Sequence, residues 1–441
     1  MARATPSPGL WSSHGLLFLL ALMYADNFVG RQILAVMIEP IKREFGASDS
    51  AMGLISGLAF AAVYAVLGLP AGRLADRLPR TRLLAVSCLL WALATMACGL
   101  AGGFLMLVLA RMAVATAEAP ATPTAFSLIA DLYPPHRRSF AISCFTAAPT
   151  FAALLGLSVG AWLVETHGWR TTFILIGLPG LLIAALLAVS VREPARGQWE
   201  LSHAPTAPQG LLHTALELWR EPALRWMLIA GGFSTLSGYA FAMWNASFLV
   251  RSHGLTLQQA GLLAGLVAGG VSGIGTLCSG WLTDRLAQRN RLWLIGIPLL
   301  GNLIGALALA AYLLWPAATL AQFGALAVPT AMLWCALACF FSVWWVAPSY
   351  TLITHLVAAD RRGTAMAMQT MLSTILGVGL GPLATGMLSD LLQPAFGAES
   401  LRYALLACSL TVLVPVLLLV RVYGLSRTGA GVPALQPVSQ S

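Results

Sequence analysis

Twelve apolar stretches follow one another along this chain, at approximately 15–38, 51–72, 83–102, 104–128, 139–163, 171–191, 225–249, 259–282, 292–314, 321–353, 363–388 and 402–422. Crossing hydrocarbon takes about 20 residues of helix, and most of these runs are that long. In lipid, backbone N–H and C=O groups must be satisfied inside the segment or around a closed barrel. Barrel strands would be about ten residues with alternating polarity, so the runs are expected to be helices. Composition agrees: 58% of the residues are hydrophobic and 9% charged, where a soluble domain carries roughly 25% charged. The first run is too long, and carries too many charges, to be a cleaved leader. The fold class expected is an all-α membrane protein of twelve spans.

The chain also repeats itself. A shift of 208 residues superposes Gly53, Leu54, Gly57 and Leu58 on Gly261, Leu262, Gly265 and Leu266. The same shift superposes Gly72, Leu74, Asp76, Arg77 and Leu78 on Gly280, Leu282, Asp284, Arg285 and Leu286. Apolar bias explains matched leucines, but not a glycine, an aspartate and an arginine in register. A second echo, at a shift of 224, sets Leu128, Ile129, Arg137, Arg138 and Ala141 on Leu352, Ile353, Arg361, Arg362 and Ala365. Two parallel six-helix halves are implied, and parallel halves in a membrane point to transport at their interface. The expected organisation is a first half at 1–191, a linker at 192–224, a second half at 225–422 and a disordered tail at 423–441. Residues 210–220 of the linker read as a short amphipathic helix at the membrane surface.

The net charge of +9 is distributed as topology rather than as a nucleic-acid footprint. With a cytoplasmic N-terminus, the inner loops hold Arg73, Arg77, Arg80, Arg82, Arg137, Arg138, Arg285, Arg289, Arg291, Arg361 and Arg362. The outer loops hold only Lys42, Arg43, Arg170, Arg251 and Arg402. That asymmetry places both termini in the cytoplasm of a bacterial inner membrane and makes anionic lipid, not nucleic acid, the basic partner. The seven cysteines all fall in apolar runs, so no disulfide framework is expected. Cys335 and Cys339 lie one turn apart, yet without a His or carboxylate beside them they read as packing residues, and no metal site is expected. No phosphate-cradling loop ends in Lys-Ser or Lys-Thr, and the single lysine, Lys42, is in an outer loop, which excludes an ATP-driven pump. No cofactor is expected.

Four charged side chains lie well inside the spans: Asp26 and Arg31 on the first, Arg111 and Glu118 on the fourth. Intramembrane charge is costly, so each must be paired or must line water. At 1.5 Å per residue, Arg31 and Arg111 lie roughly 10–12 Å below the outer surface, and Asp26 and Glu118 about 18–23 Å down. Arg111 and Glu118, seven residues apart, share a helical face and are expected to be partners. One reading is a structural ion-pair network pinning two helices. The other is an anion clamp of Arg31 and Arg111, with Glu118 or Asp26 as the proton-coupling acid. Asn245 and Gln369, the clearest mid-span polar residues of the second half, are candidates for substrate hydrogen bonds or for interhelical glue.

The loop Gly72–Arg82 (GRLADRLPRTR) resembles the signature of the major facilitator superfamily, with Pro79 where that pattern usually has Gly. Gly280–Arg291 is its weaker second copy. Three stretches resemble the spinster-like transporters within it: Tyr24–Glu39 (YADNFVGRQILAVMIE), the run EPIKREFGASDSAMGLISGLAFA from Glu39, and Arg111–Asp131 (RMAVATAEAPATPTAFSLIAD). The resemblance covers most of the first half and is thin in the second. It implies the major facilitator fold and a polar centre of Arg31, Arg111 and Glu118. Spinster-like proteins usually carry an acid just before the first-span arginine. Here that position is Gly30, and Asp26, one turn earlier, is the expected substitute.

The expectation is therefore a secondary transporter and not an enzyme, since no nucleophile–base pair or metal triad lies in the spans. Its small-molecule substrate would be an organic or amphiphilic anion, lysolipid-like in the spinster reading, coupled to protons. Tyr239, Trp244, Trp344, Trp345, Tyr350, Met366, Met368 and Met371 are candidate walls for an apolar tail, with packing or lipid contact as the alternative. A related reading is an organic-anion/proton symporter. From another class, a non-transporting sensor or scaffold is the alternative, and a sensor is expected to add a cytoplasmic domain. Asp76 with Arg77, and Asp284 with Arg285, are read as gating latches, because an Asp there can reach the positive N-terminus of the eleventh span. A monomer is expected.

Overall fold

The computed structural model describes residues 13–191, 193–195, 211–324, 326–357 and 361–427. The first half holds α1 (Ser13–Gln32), α2 (Leu34–Phe45), α3 (Asp49–Gly53), α4 (Ala59–Arg77), α5 (Arg80–Gly99), α6 (Phe104–Glu118), α7 (Ala121–Leu132) and α8 (Pro135–Ser190). A short α9 (Leu211–Arg220) follows. Its Leu218 is buried with Leu224, Leu228 and Ile353, so this helix packs on the second half. The second half holds α10 (Pro222–His253), α11 (Leu257–Gly265), α12 (Ser272–Arg289), α13 (Trp293–Leu314), α14 (Ala331–Ser342), α15 (Val346–Leu356), α16 (Arg362–Leu372), α17 (Gly381–Phe396), α18 (Ser400–Leu410) and α19 (Leu413–Arg427).

Nine stretches among the described residues are long and apolar enough to cross a membrane, two of them, Phe140–Ser190 and Arg362–Gly424, long enough for two passes. The arrangement is consistent with the twelve passes expected. The α8 stretch is divided at Gly168, whose φ of 78° is a conformation that side-chain-bearing residues rarely adopt. We call the face where α1 starts and α19 ends the terminal face, and the opposite one the distal face.

The sequence repeat is also a repeat of backbone irregularity. A π turn follows Gly53 at Leu54–Leu58, and another follows α11 at Leu266–Val271. Helix α6 stops at Glu118 and resumes at Ala121 after Ala119 and Pro120; α14 stops at Ser342 and resumes at Val346. These breaks fall at the 224-residue shift seen in the sequence (118 to 342). Proline explains the first, since Pro120 has no N–H to donate.

One expected boundary is corrected. The run at 321–353 does not enter as a helix. It begins with an antiparallel hairpin, β1 (Thr319–Phe323) and β2 (Leu326–Pro329), and becomes helical only at Ala331. Gly324 closes the hairpin at φ 58° and Pro329 cannot donate to a helical ladder.

Close backbone approach joins the halves. A Cβ on Gly53 would lie 2.5 Å from the Pro382 carbonyl oxygen, and one on Gly261 would lie 2.2 Å from the Ala161 Cβ. Association of apolar helices in lipid relies on such packing because exchange with lipid tails gives little drive.

Candidate substrate and coupling site

The break between α6 and α7 presents Glu118 at the end of a helix, where its side chain is buried with only 2% exposure. Its partner is Arg31 of α1: Nε donates to Oε2 at 2.9 Å and Nη2 stands 2.8 Å from the same oxygen. Asn27, one turn before Arg31, is buried as well. The expected pairing of Glu118 with Arg111 is thus corrected. Seven residues place the two on one helical face, but the arginine that bridges from α1 reaches the carboxylate first. Arg111, equally buried, donates through Nη1 to the Gly30 carbonyl at 3.1 Å, while its Nε has no partner among the described residues.

Aromatic rings surround the two guanidinium groups. The Arg31 Cζ lies 4.7 Å from the Phe60 ring centroid, 5.0 Å from Tyr64 and 5.3 Å from Phe28. Arg111 lies 5.9 Å from the same Phe60 ring. Such faces stabilise desolvated cations. Sequence reading missed Phe60, Tyr64 and Asn27, since aromatic and amide residues in apolar helices carry no local signal.

Asp26 is directed elsewhere. Trp91 of α5 donates its indole N–H to Asp26 Oδ2 at 3.2 Å, and Gly180 of α8 leaves room for that oxygen, since a Cβ there would stand 3.0 Å away. Asp26 therefore occupies a crevice between α1, α5 and α8 rather than the position beside Arg31 for which it was the expected substitute. A rotation of about 40° between positions four apart was enough to separate them. At Gly30 itself, an added Cβ would meet nothing within 4 Å, so space does not exclude an acid there.

A cavity of about 310 Å3 has Gln32, next to Arg31 in the chain, in its wall and is otherwise lined mainly by the second half, including Tyr239, Asn245, Asn302 and Trp345. No charged side chain lines it. Asn245 accepts a hydrogen bond from the Tyr312 hydroxyl at 2.7 Å, and Asn302 accepts one from Ser234 at 3.0 Å. Gln369, fully buried, lies elsewhere: its Nε2 donates to Ser373 at 3.1 Å, and it packs against Gly231 of α10. Trp244, a candidate wall residue, is also buried, and donates to the Pro382 carbonyl at 3.0 Å.

At the terminal face, Arg77, Asp284 and Arg285 are exposed, and the Arg285 Cζ lies 5.4 Å from the Trp281 ring. The side chain of Asp76 falls outside the described residues. Nearby is a cluster that sequence reading counted only as loop charge. Arg80 is buried, pairs with Asp131, and donates from Nε to Glu193 Oε1 at 2.8 Å. Thr81 donates its backbone N–H to Glu193 Oε2 at 2.9 Å. Burial alone would raise the Glu193 pKa; these hydrogen bonds and the Arg80 charge outweigh it and hold the group below its ordinary value. Glu193, assigned by sequence to the linker, is pinned to the first half.

The sequence profile of the Major Facilitator Superfamily matches residues 20–382. The chain belongs to the Major Facilitator Superfamily. It is similar to an MFS-type efflux pump of Mycolicibacterium smegmatis, at 34% identity over 401 residues, covering 90% of this chain and 88% of the relative. It is 27% identical to protein spinster homolog 1 of Xenopus tropicalis over 428 residues, covering 91% and 79%. Among solved structures, it resembles a bacterial homologue of the human lysosomal transporter Spinster in an inward-facing, unoccupied conformation. The TM-score is 0.79 at 27% identity, over 93% of this chain and 97% of that one. The chain is therefore a spinster-like, multi-pass integral membrane transporter of small molecules, and not an enzyme.

Proposed function

We propose that this transporter carries an organic or amphiphilic anion together with a proton, by alternating access between the halves 1–191 and 225–422. Its setting is the bacterial inner membrane with both termini cytoplasmic, as the arginine asymmetry supports. The observation that carries the reading is the pairing of the buried Glu118 with the half-buried Arg31, whose chain neighbour Gln32 lines a neutral cavity. While Glu118 is ionised, it occupies the Arg31 guanidinium. A proton on Glu118 removes that negative charge and leaves Arg31 and Arg111 to face an anion, so proton and anion favour each other's binding. Asn245, in the cavity wall, is the hydrogen-bonding contact assigned to the second half; Gln369, packed between helices, fits interhelical glue. The cavity suits the uncharged portion of the substrate. Asp76, Arg77, Asp284 and Arg285, at the ends of the two repeat helices, are assigned to gating at the cytoplasmic side. A monomer suffices, since one chain supplies both sides of the site.

The test is transport in proteoliposomes with and without a pH gradient. Glu118→Gln should abolish stimulation by the gradient while counterflow exchange continues, and Asp26→Asn should retain stimulation. Unchanged stimulation in Glu118→Gln, with its loss in Asp26→Asn, would move the coupling role to Asp26.

A further inference from the structure

At the distal rim the N-terminal ends of the two repeat helices are met in the same way. In the first half, Ser48 caps α3 from within the chain, accepting from the Ala51 N–H at 3.1 Å. The two N–H groups before it are taken by the other half: Asp390 of α17 accepts from Asp49 N–H at 3.0 Å through Oδ1 and from Ser50 N–H at 2.7 Å through Oδ2. In the second half, Thr256 caps α11, accepting from the Gln259 N–H at 3.3 Å in a reciprocal capping box. Here too a preceding N–H is taken in trans, with Glu165 of α8 accepting from Gln258 N–H at 2.6 Å.

The correspondence follows the sequence repeat. Ser48 and Thr256 stand 208 residues apart, the shift of the first echo, and so do Ser50 and Gln258. Glu165 and Asp390 stand 225 apart, one residue from the shift of the second. The first turn of a helix leaves N–H groups without intrahelical partners and carries partial positive charge, which a carboxylate stabilises. Glycines let the acids reach: a Cβ on Gly386 would stand 2.2 Å from the Asp49 carbonyl oxygen, and one on Gly265 would stand 2.6 Å from Ser158 Oγ.

The two contacts differ in what surrounds them. On the α3–α17 side, Asp49 is buried and accepts from Arg251 at 2.7 and 2.8 Å, from Lys42 at 2.6 Å and from Ser389 at 2.7 Å. Arg251 also donates to Glu39 at 2.8 Å. On the α8–α11 side, Glu165 and Gln258 are exposed.

We propose that the distal rim is held shut by two reciprocal latches, each half laying one carboxylate, Asp390 or Glu165, on the helix N-terminus of the other, with the Asp390 latch the stronger. Opening toward the distal side requires both acids to leave and hands their N–H groups to water, while Arg251 loses two carboxylates. Burial makes this exchange harder on the Asp390 side, where the latch is half-buried and the ionic contacts of the buried Asp49 are screened less than those at the exposed Glu165. The inference rests on the rim geometry and on no assignment of substrate.

A reporter cysteine tests it. Ser158→Cys places a near-isosteric thiol at the seam, and its labelling by a membrane-impermeant maleimide from the distal side, read at that residue by mass spectrometry, reports opening without substrate. Asp390→Asn should raise the labelling rate about fivefold, and Glu165→Gln about twofold. The double variant should exceed either. Asp390→Glu, which keeps the charge, should stay nearer the parent than Asp390→Asn, separating a latch from a folding defect. Labelling that stays level in both single variants would overturn the latches. A larger effect from Glu165→Gln than from Asp390→Asn would overturn their ranking.

Discussion

At the point where the fourth and tenth passes break, the first half ends its helix on Glu118 and the second, 224 residues later, on Ser342. One further correspondence sets Arg111 against Cys335, buried in both cases. The same backbone device thus serves a charged centre in one half and a neutral one in the other. Removing an ion from water costs several kcal/mol even after relaxation, so concentrating charge in one half incurs that cost once. In the proposed cycle, the neutral half supplies shape and hydrogen bonds and moves against the charged one without carrying ions through lipid.

The largest expected effect probes the charged side. Arg31→Ala leaves Glu118 buried and unpaired, a change that destabilises by about 3–5 kcal/mol. Ser342→Ala at the matching point should cost about 1 kcal/mol or less. Thermal unfolding in detergent compares them, and Arg31→Ala/Glu118→Gln should recover most of the first loss. Equal losses from the two single variants would break the comparison.

A smaller effect is expected on recognition. Arg111→Lys keeps the charge but loses the planar two-point grip on carboxylate or phosphate. Affinity for an anionic substrate should fall about tenfold, or roughly 1.4 kcal/mol. Arg111→Ala should fall further, while Cys335→Ser should bind nearly as the parent does. Equilibrium binding to purified protein measures all three, and parental affinity in Arg111→Lys would make this arginine a structural counter-ion.

The smallest effect concerns the terminal face, where the halves differ again. Arg80 is buried between Asp131 and Glu193, while its counterpart at the 208-residue shift, Gln288, is exposed. Because the folded Glu193 pKa is depressed, its contribution is present above the unfolded value of about 4.3. That contribution fades as pH falls through the lower folded value. Melting temperature should therefore drop more steeply in that acid range in the parent than in Glu193→Gln. Gln288→Ala should leave the curve unchanged.

Much of this architecture was legible in the chain. Runs of about 20 apolar residues specify helices because lipid offers the backbone no other partner, and matching glycines and charges in two registers announced the paired halves. The four intramembrane charges were legible too, because each is costly enough to demand a reason. The hairpin at Thr319–Pro329 was hidden by its apolar composition, which suits a strand as well as a membrane helix. Glu193 was hidden by its polar surroundings, which resemble any linker.

What sequence determined by itself is the helical spans, their repeat and the residues that must meet inside them. Which of them meet was decided by tertiary structure. Glu118 takes Arg31 rather than Arg111, Asp26 turns to Trp91, and Asp390 reaches a helix 340 residues away at Ser50. Helical period places a side chain on a face to within some tens of degrees. Pairing depends on a few ångströms between different helices, set by how closely their glycines let the backbones pack.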